Sequence, residues 1–117
     1  MASGDDKKVY MMYSSDGKQI KIGQSVNPER RRLATDVKNH GDFSVHKAKT
    51  AAHGPHAERT AQAAVMKECG LKRVEGTRDF FERDGSKANH KMTTPTKQKI
   101  WDAARRGVDR SNYAKKK

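Results

Sequence analysis

The sequence lacks the features that disulfide-rich, secreted and membrane proteins need. Cys69 is a single cysteine among 117 residues, so neither an internal disulfide nor a zinc cluster of the usual cysteine spacing is available. No apolar run approaches the roughly 18 residues that cross a bilayer, and the chain shows no secretion-signal pattern. We therefore expect a cytoplasmic protein that does not engage a membrane.

Hydrophobic residues are also scarce, and the charge is strongly one-sided. They make up 32% of the chain, which suits one domain with a thin core. The 26 Lys and Arg residues against 14 Asp and Glu give a formal net charge of +12 at pH 7. Basic side chains release condensed counterions when they bind phosphates, so a nucleic acid is the expected partner.

Turn and cap signals organise the first half of the chain. The pair Asp16-Gly17 separates two strand-like runs, KVYMMYSS and KQIKIGQS, and predicts a β-hairpin. Asn27 as a cap and Pro28 at the first helical position predict a helix of about ten residues. Alternating apolar residues in 42–50 predict a third strand that pairs with the hairpin.

The second half carries two further helix signals. Pro55 begins a helix that continues through HAERTAQAAVMKEC, and Gly70 sits where a left-handed cap would end it. Its many alanines allow close packing. The apolar pair Phe80 and Phe81 is expected to pack back on the sheet, and Thr94 precedes a last helix.

These elements predict an α/β (α+β) fold with a small three-stranded antiparallel sheet flanked by helices. We expect a flexible start at 1–7, a domain at 8–92, and a basic C-terminal helix and tail at 93–117. Between residues 96 and 117 there are eight Lys or Arg and two Asp, so this segment holds half of the net charge.

Four segments carry a resemblance to a known family. Tyr10 and Lys21 lie on the two strands of the predicted hairpin, which can bring both side chains to one site. The segments VYM, KIG, SVNPERRR and HAERTAQAAV resemble the GIY-YIG nuclease family, in its variant group with KIG as the second tripeptide. The resemblance covers roughly residues 8–82. It implies the GIY-YIG-like fold and a nuclease activity.

The resemblance assigns roles to individual positions. Lys8 and Lys21 stand where the family has glycine and tyrosine, and the residues that match its tripeptides are Val9, Tyr10, Ile22 and Gly23. It implies that Glu58 binds one Mg²⁺ or Mn²⁺ and that Arg31 steadies the scissile phosphate. It also implies that Tyr10, with Lys21 or a metal-bound water, generates the attacking hydroxide.

Some assignments stay open at this stage. Tyr10 or Lys21 can serve as the base if a nearby cation lowers its pKa. Helical periodicity makes Arg30 a rival of Arg31 for the phosphate contact. Two histidines, His40 and His46, could reach the same cleft, and His46 is included among the candidate catalytic residues. Asp79 is either a second acid or a strand-end residue, and the structural interpretation is preferred.

The predicted function is a divalent-metal-dependent endonuclease that hydrolyses DNA phosphodiester bonds. Double-stranded DNA is the first expectation, and single-stranded DNA, branched DNA and RNA remain open. The alternatives are a catalytically inactive nucleic-acid-binding protein of the same fold and an unrelated basic chromosomal or ribosomal protein. The residues predicted to contact the nucleic acid are Arg30, Arg32, Lys97, Lys99, Arg105 and Arg106.

Overall fold

The computed structural model describes residues 8–33, 41–47 and 56–115, without the side chains of Lys47, His56 and residues 111–115. Its elements, in chain order, are β1 Lys8–Tyr13, β2 Gln19–Ser25, α1 Pro28–Leu33, β3 Phe43–Lys47, α2 His56–Cys69, β4 Leu71–Arg73, β5 Phe80–Arg83, a short 3-10 helix Gly85–Asn89, and α3 Thr94–Lys115. Of the helices in this described part, none is long and apolar enough to cross a membrane.

The predicted hairpin is confirmed. Strands β1 and β2 pair antiparallel, and Gly17 in the turn between them has a φ of 72°, a conformation that glycine adopts without steric cost. The carboxylate of Asp16 accepts a hydrogen bond from Ser14 Oγ at 2.6 Å and another from the backbone N–H of Lys18 at 3.0 Å. The turn chemistry read from the sequence therefore sets the register of the two strands.

The sheet has five strands in the order β3-β1-β2-β5-β4, and all neighbours are antiparallel. The α+β class is confirmed, but the prediction of three strands is wrong. Strand β5 contains the Phe80 and Phe81 pair and joins β2 with Phe81 opposite Ile20. Strand β4 is only three residues long and buries only Leu71, so it has no apolar alternation to reveal it.

Helix α1 begins with the predicted cap. The side-chain oxygen of Asn27 accepts a hydrogen bond from the backbone N–H of Arg30 at 3.1 Å. The rest of the predicted ten-residue helix falls in 34–40, outside the described residues. Strand β3 lies within the predicted segment 42–50, of which 48–50 also lie outside the described residues.

Helices α2 and α3 confirm the two later helix predictions. Gly70 follows α2 with a φ of 66°, in the left-handed conformation that a C-terminal cap uses. The two helices pack against each other very closely. A Cβ atom added to Gly107 would lie 2.8 Å from the Cβ of Ala64 and 2.8 Å from the backbone oxygen of Thr60. Small residues therefore permit this approach.

The two faces of the sheet carry different sets of side chains. Because side chains alternate along a strand, Val9, Met11 and Tyr13 share one face, and Tyr10 and Met12 share the other. The first three join a core cluster with residues of α2 and α3, so we call their side the core face. Tyr10 and Met12 are buried but lie outside that cluster. We call their side the Tyr10 face.

Candidate functional site

The Tyr10 face brings Tyr10 and Lys21 together. Tyr10 is opposite Gly23 in the hairpin register and Met12 is opposite Lys21, so both side chains project from the same face. The Nζ atom of Lys21 lies 5.7 Å from the centroid of the Tyr10 ring and 5.9 Å from that of Phe80. A cation thus lies beside two aromatic rings, within the range of cation–π attraction.

Gly23 creates the space that the Tyr10 ring occupies. A Cβ atom added to Gly23 would lie 2.7 Å from the Tyr10 hydroxyl oxygen and 2.9 Å from Tyr10 Cζ. Both distances are shorter than two such atoms tolerate, so any larger residue would displace the ring. The glycine at the end of KIG therefore has a steric role that depends on its strand partner.

Burial and nearby charges act on the Tyr10 hydroxyl. Its residue is only 2% exposed, and burial raises the pKa of Tyr10 to about 12. The positive charge of Arg31 lowers that pKa, while the negative charges of Glu58 and Asp79 raise it further. We expected a lowered pKa, but burial outweighs the cation here. Near neutral pH the phenol is therefore protonated and can donate a hydrogen bond.

Glu58 lies in the first turn of α2, and its side chain is 17% exposed. Its backbone N–H donates to Gln24 Oε1 at 3.2 Å, which anchors the start of the helix to the end of β2. Burial raises the pKa of Glu58, and so does the negative charge of Asp79, whereas Arg59 opposes them. The Nη1 atom of Arg59 lies 3.5 Å from Glu58 Oε1 and 3.5 Å from Asp79 Oδ1.

A fully buried amide connects this carboxylate pair to the sheet. The Nε2 atom of Gln62 donates to the backbone oxygen of Ile22 at 2.8 Å and to Asp79 Oδ1 at 2.9 Å. Its Oε1 atom accepts from Arg59 Nη1 at 2.9 Å and from Arg73 Nη2 at 3.1 Å. Two donated and two accepted bonds use the full capacity of the amide, so its orientation is determined.

Sequence reasoning missed Gln62, and it raised Asp79 as a possible second acid but preferred a structural role for it. Gln62 follows Glu58 by four positions on α2, and residues at that spacing are neighbours on a helix surface. A polar residue inside the run AQAAV, at that spacing from a candidate carboxylate, is the signal that could have found it. The proximity of Asp79 to Glu58 had no local signal, because it depends on the pairing of β5 with β2.

The three consecutive arginines of α1 have different surroundings. Arg30 and Arg31 are exposed and line a cleft of about 290 Å³ with Ser25, Val26 and Asn27. The guanidinium of Arg32 instead lies over the Phe43 ring, 5.2 Å from its centroid. Arg31 is the one whose charge acts on Tyr10. Its electrostatic coupling to Tyr10 favours Arg31 over Arg30 for the predicted phosphate contact.

His46 lies away from this group. It is opposite Val9 in the register, so its side chain projects from the core face. There its Nε2 atom lies 3.3 Å from Asp109 Oδ1, and its ring meets that of Trp101 edge to face at 6.3 Å. The catalytic role predicted for His46 therefore has no geometric support, and His40 lies outside the described residues.

Two of the predicted nucleic-acid contacts in α3 are engaged in ion pairs. Lys97 Nζ bonds to Asp42 Oδ2 at 2.8 Å and lies over the Tyr13 ring, 5.2 Å from its centroid. Arg106 Nη2 bonds to Glu68 Oε1 at 2.8 Å. Lys99, Arg105 and Arg106 are exposed, whereas Lys97 is only half-exposed.

The carboxylate pair Glu58 and Asp79 is the candidate donor set for a divalent cation. In the part of the chain that the structure describes, no group of three or more His, Cys, Asp or Glu side chains could hold a metal ion. Glu58 and Asp79 nevertheless supply two neighbouring carboxylates, and Mg²⁺ is commonly held by one or two carboxylates together with waters and phosphate oxygens. The donor set therefore suits Mg²⁺ or Mn²⁺.

The fold and this site define an antiparallel α+β protein with a buried phenol, cations and a carboxylate pair around one hairpin. No family model, curated protein or solved structure matches the chain. A function is therefore inferred from the residues themselves.

Proposed function

We propose that the protein is a divalent-metal-dependent endonuclease of the GIY-YIG type that hydrolyses phosphodiester bonds in DNA. One observation carries the proposal. The buried phenol of Tyr10 is in contact with Lys21 and is influenced by the charges of Arg31, Glu58 and Asp79. Phosphodiester hydrolysis needs cations for the developing phosphoryl charge and carboxylates for a metal, and this group contains both.

The overall charge supports a nucleic acid as substrate. A net charge of +12 attracts polyanions through counterion release, whatever their sequence. Exposed Arg30 and Arg31 line a cleft beside α1, and the charge of Arg31 also acts on Tyr10. Double-stranded DNA remains the first choice, with single-stranded DNA, branched DNA and RNA as competitors in the assay.

The residues divide the chemical work in the proposed reaction. Arg31 binds and orients the scissile phosphate and offsets the charge that develops on its oxygens. Tyr10, protonated at neutral pH, donates a hydrogen bond to a phosphoryl oxygen. Lys21 is then the candidate base, and it accepts a proton from the attacking water only in its neutral amine form, after its ammonium has lost a proton to solvent. Glu58 and Asp79 would hold Mg²⁺ or Mn²⁺, which supplies Lewis-acid stabilisation when bound.

A second function is favoured by one contact. The guanidinium of Arg59 lies 3.5 Å from both Glu58 and Asp79, where it neutralises the carboxylates that a metal would need. In this second function, the Arg59 guanidinium occupies the place of the metal ion. The protein then binds nucleic acid through its basic surface and does not cut it.

A cleavage assay distinguishes the two functions. Purified protein is incubated with supercoiled plasmid, linear duplex, single-stranded DNA, branched DNA and RNA, in Mg²⁺, Mn²⁺ or EDTA. We expect cutting only with a metal, and a rate at least about a hundredfold lower for Glu58→Ala. Glu29→Ala is the matched control, because Glu29 is an exposed carboxylate on α1.

The outcomes separate the alternatives cleanly. Glu58→Ala should still bind DNA, because affinity comes from many phosphate contacts. Cutting that persists in EDTA, or that survives Glu58→Ala, contradicts the hydrolase proposal. DNA binding without cutting in any metal supports the inactive binding protein.

A further inference from the structure

A second cleft lies between the end of α2, the end of β5, the 3-10 helix and the start of α3. Its volume is about 270 Å³, and the charged side chains that line it are Arg83, Asp84, Lys87 and Lys99. Glu58 lies in the first turn of the 14-residue helix α2 and Cys69, at this cleft, ends it. The rise of a helix places roughly 16 Å between the two positions, so this cleft is separate from the Tyr10 site.

The guanidinium of Arg83 is only partly satisfied. Its Nη2 atom donates to the backbone oxygens of His90 at 3.0 Å and of Lys91 at 3.4 Å. Its Nε atom is buried and has no hydrogen-bond partner among the residues that the structure describes. Buried polar atoms are nearly always bonded, so the described residues leave this donor unsatisfied, while the Arg83 side chain contributes to the lining of the cleft.

The charges around the cleft indicate what kind of acceptor fits. Arg83, Lys87 and Lys99 contribute three positive charges, and Asp84 is the single carboxylate in the lining. Asp84 also lies 3.7 Å from Lys72 Nζ, outside the cleft lining, so part of its charge is already balanced. The lining therefore carries an excess of at least two positive charges.

We propose that this cleft binds a phosphate group in its dianionic form, either inorganic phosphate or the terminal phosphate of a nucleic-acid strand. A dianion matches the charge excess of the lining. A tetrahedral group of oxygens can accept hydrogen bonds from the guanidinium and from two ammonium groups at once. The assignment is independent of the hydrolysis proposed for the Tyr10 face, because it needs neither Glu58 nor a metal.

The direct test is an NMR titration of the isotope-labelled protein with inorganic phosphate, without metal and at constant ionic strength. We expect saturable shifts of the backbone amides of Gly70, Lys87 and Lys99. The double variant Lys87→Gln/Lys99→Gln should bind phosphate about tenfold more weakly or worse, because two charge-assisted contacts are lost. It keeps Arg83, whose contacts with the backbone support the fold.

The matched control is Lys18→Gln/Lys67→Gln, which removes the same charge from two exposed lysines that do not line the cleft. It should bind phosphate like the unchanged protein. An equal loss of affinity in this control, or the same shifts with chloride, overturns the proposal in favour of general attraction to a basic surface. The absence of saturable shifts overturns it as well.

A second titration identifies whether the bound phosphate comes from a nucleic-acid strand end or from free phosphate. A thymidine dinucleotide with a 5′-phosphate is compared with the same dinucleotide without it. Binding of the phosphorylated form alone supports a strand-end site, and binding of inorganic phosphate alone supports a free-anion site. Glu58→Ala should behave like the unchanged protein in both titrations, so a failed cleavage assay and a failed phosphate site are told apart.

Discussion

Tyr10 and Tyr13 lie three positions apart on β1, yet they belong to opposite faces of the sheet and have different surroundings. Tyr13 is part of the core cluster, its hydroxyl donates to the backbone oxygen of Lys97 at 3.1 Å, and the Lys97 ammonium lies over its ring. Tyr10 lies outside that cluster, beside Lys21. Both phenols are almost completely buried.

The difference shows how one strand serves two purposes. On the core face, the hydroxyl of Tyr13 is tied to α3 and contributes to stability. On the Tyr10 face, the charges of Arg31, Glu58 and Asp79 act on the buried Tyr10 hydroxyl, an arrangement typical of a chemical site more than of a core. The three predictions that follow test whether stability and activity are divided between the two faces in this way.

The largest expected difference is between Tyr10→Phe and Tyr13→Phe. Loss of the Tyr10 hydroxyl removes a donor to the scissile phosphate, so we expect the plasmid-nicking rate to fall roughly a hundredfold. Loss of the Tyr13 hydroxyl removes its bond to Lys97, so we expect a loss of about 1 kcal/mol in the free energy of unfolding, with the rate unchanged. Nicking rates and urea unfolding measure the two quantities. Equal effects of both variants on the nicking rate would contradict the assignment of activity to the Tyr10 face and stability to the core face.

Two glycines permit a smaller test of the same division. Gly23→Ala forces the Tyr10 ring to move, so we expect nicking to slow by about tenfold, because a small misplacement of a reacting group is costly. Gly107→Ala drives a methyl group into Ala64 and the backbone of Thr60, so we expect it to cost about 1–3 kcal/mol of stability. Its nicking rate should be unchanged well below the melting temperature.

Gly41→Ala is the control for both glycine variants. Among the described residues, the atom nearest to a Cβ added to Gly41 would be Ser14 O at 3.6 Å, an ordinary contact distance. We expect neither rate nor stability to change. A slower rate for Gly107→Ala at full stability would show that the two faces are coupled. An unchanged rate for Gly23→Ala would contradict the role proposed for the Tyr10 ring.

The smallest expected effect is a difference in pH dependence between two glutamates of α2. Burial and Asp79 raise the pKa of Glu58 above its usual value near 4.5, so the folded state holds that proton longer than the unfolded state. Its contribution to stability is present at low pH and is lost as the pH rises through the raised pKa. Hydrogen bonds from Arg106 and Arg110 lower the pKa of Glu68, so its contribution has the opposite sign and is lost as the pH falls below about 4.5.

Unfolding in EDTA between acid and neutral pH measures this difference. Relative to the unchanged protein, Glu58→Gln should gain stability as the pH rises, and Glu68→Gln should lose it. The same slope for both variants would mean that the Glu58 carboxylate is not held in a buried, negatively charged setting.

Local signals predicted most of the fold because they act over a few residues. Asp16-Gly17 sets a hairpin, Asn27 caps a helix and Gly70 ends one, and each is found where the sequence indicated. Strand β4 escaped prediction because its stability comes from pairing with β5 and not from its own residues. A three-residue strand with two exposed basic side chains has no pattern that distinguishes it from a loop.

In the candidate site, too, the contacts set by local signals were predictable and those set by distant pairing were not. The hairpin register follows from the turn, so the meeting of Tyr10 and Lys21 was predictable from sequence. The proximity of Glu58 to Asp79 was not predictable from sequence, because it requires α2 to pack beside β2 and β5 to pair with β2. The opposite placement of His46 likewise depends on the register of β3, which no local turn specifies.

The amino-acid sequence alone determined the basic charge, the hairpin, the Asn27 cap of α1 and the glycine that ends α2, because these depend on composition and on neighbours along the chain. Only the tertiary structure decided that the buried amide of Gln62 joins Asp79 to Arg59 and Arg73. It also decided that Arg83, whose Nε atom has no partner among the described residues, lines a cleft. The physical reason is that burial, hydrogen-bond partners and electrostatic fields are set by groups distant in sequence, which come together only when the sheet and helices pack.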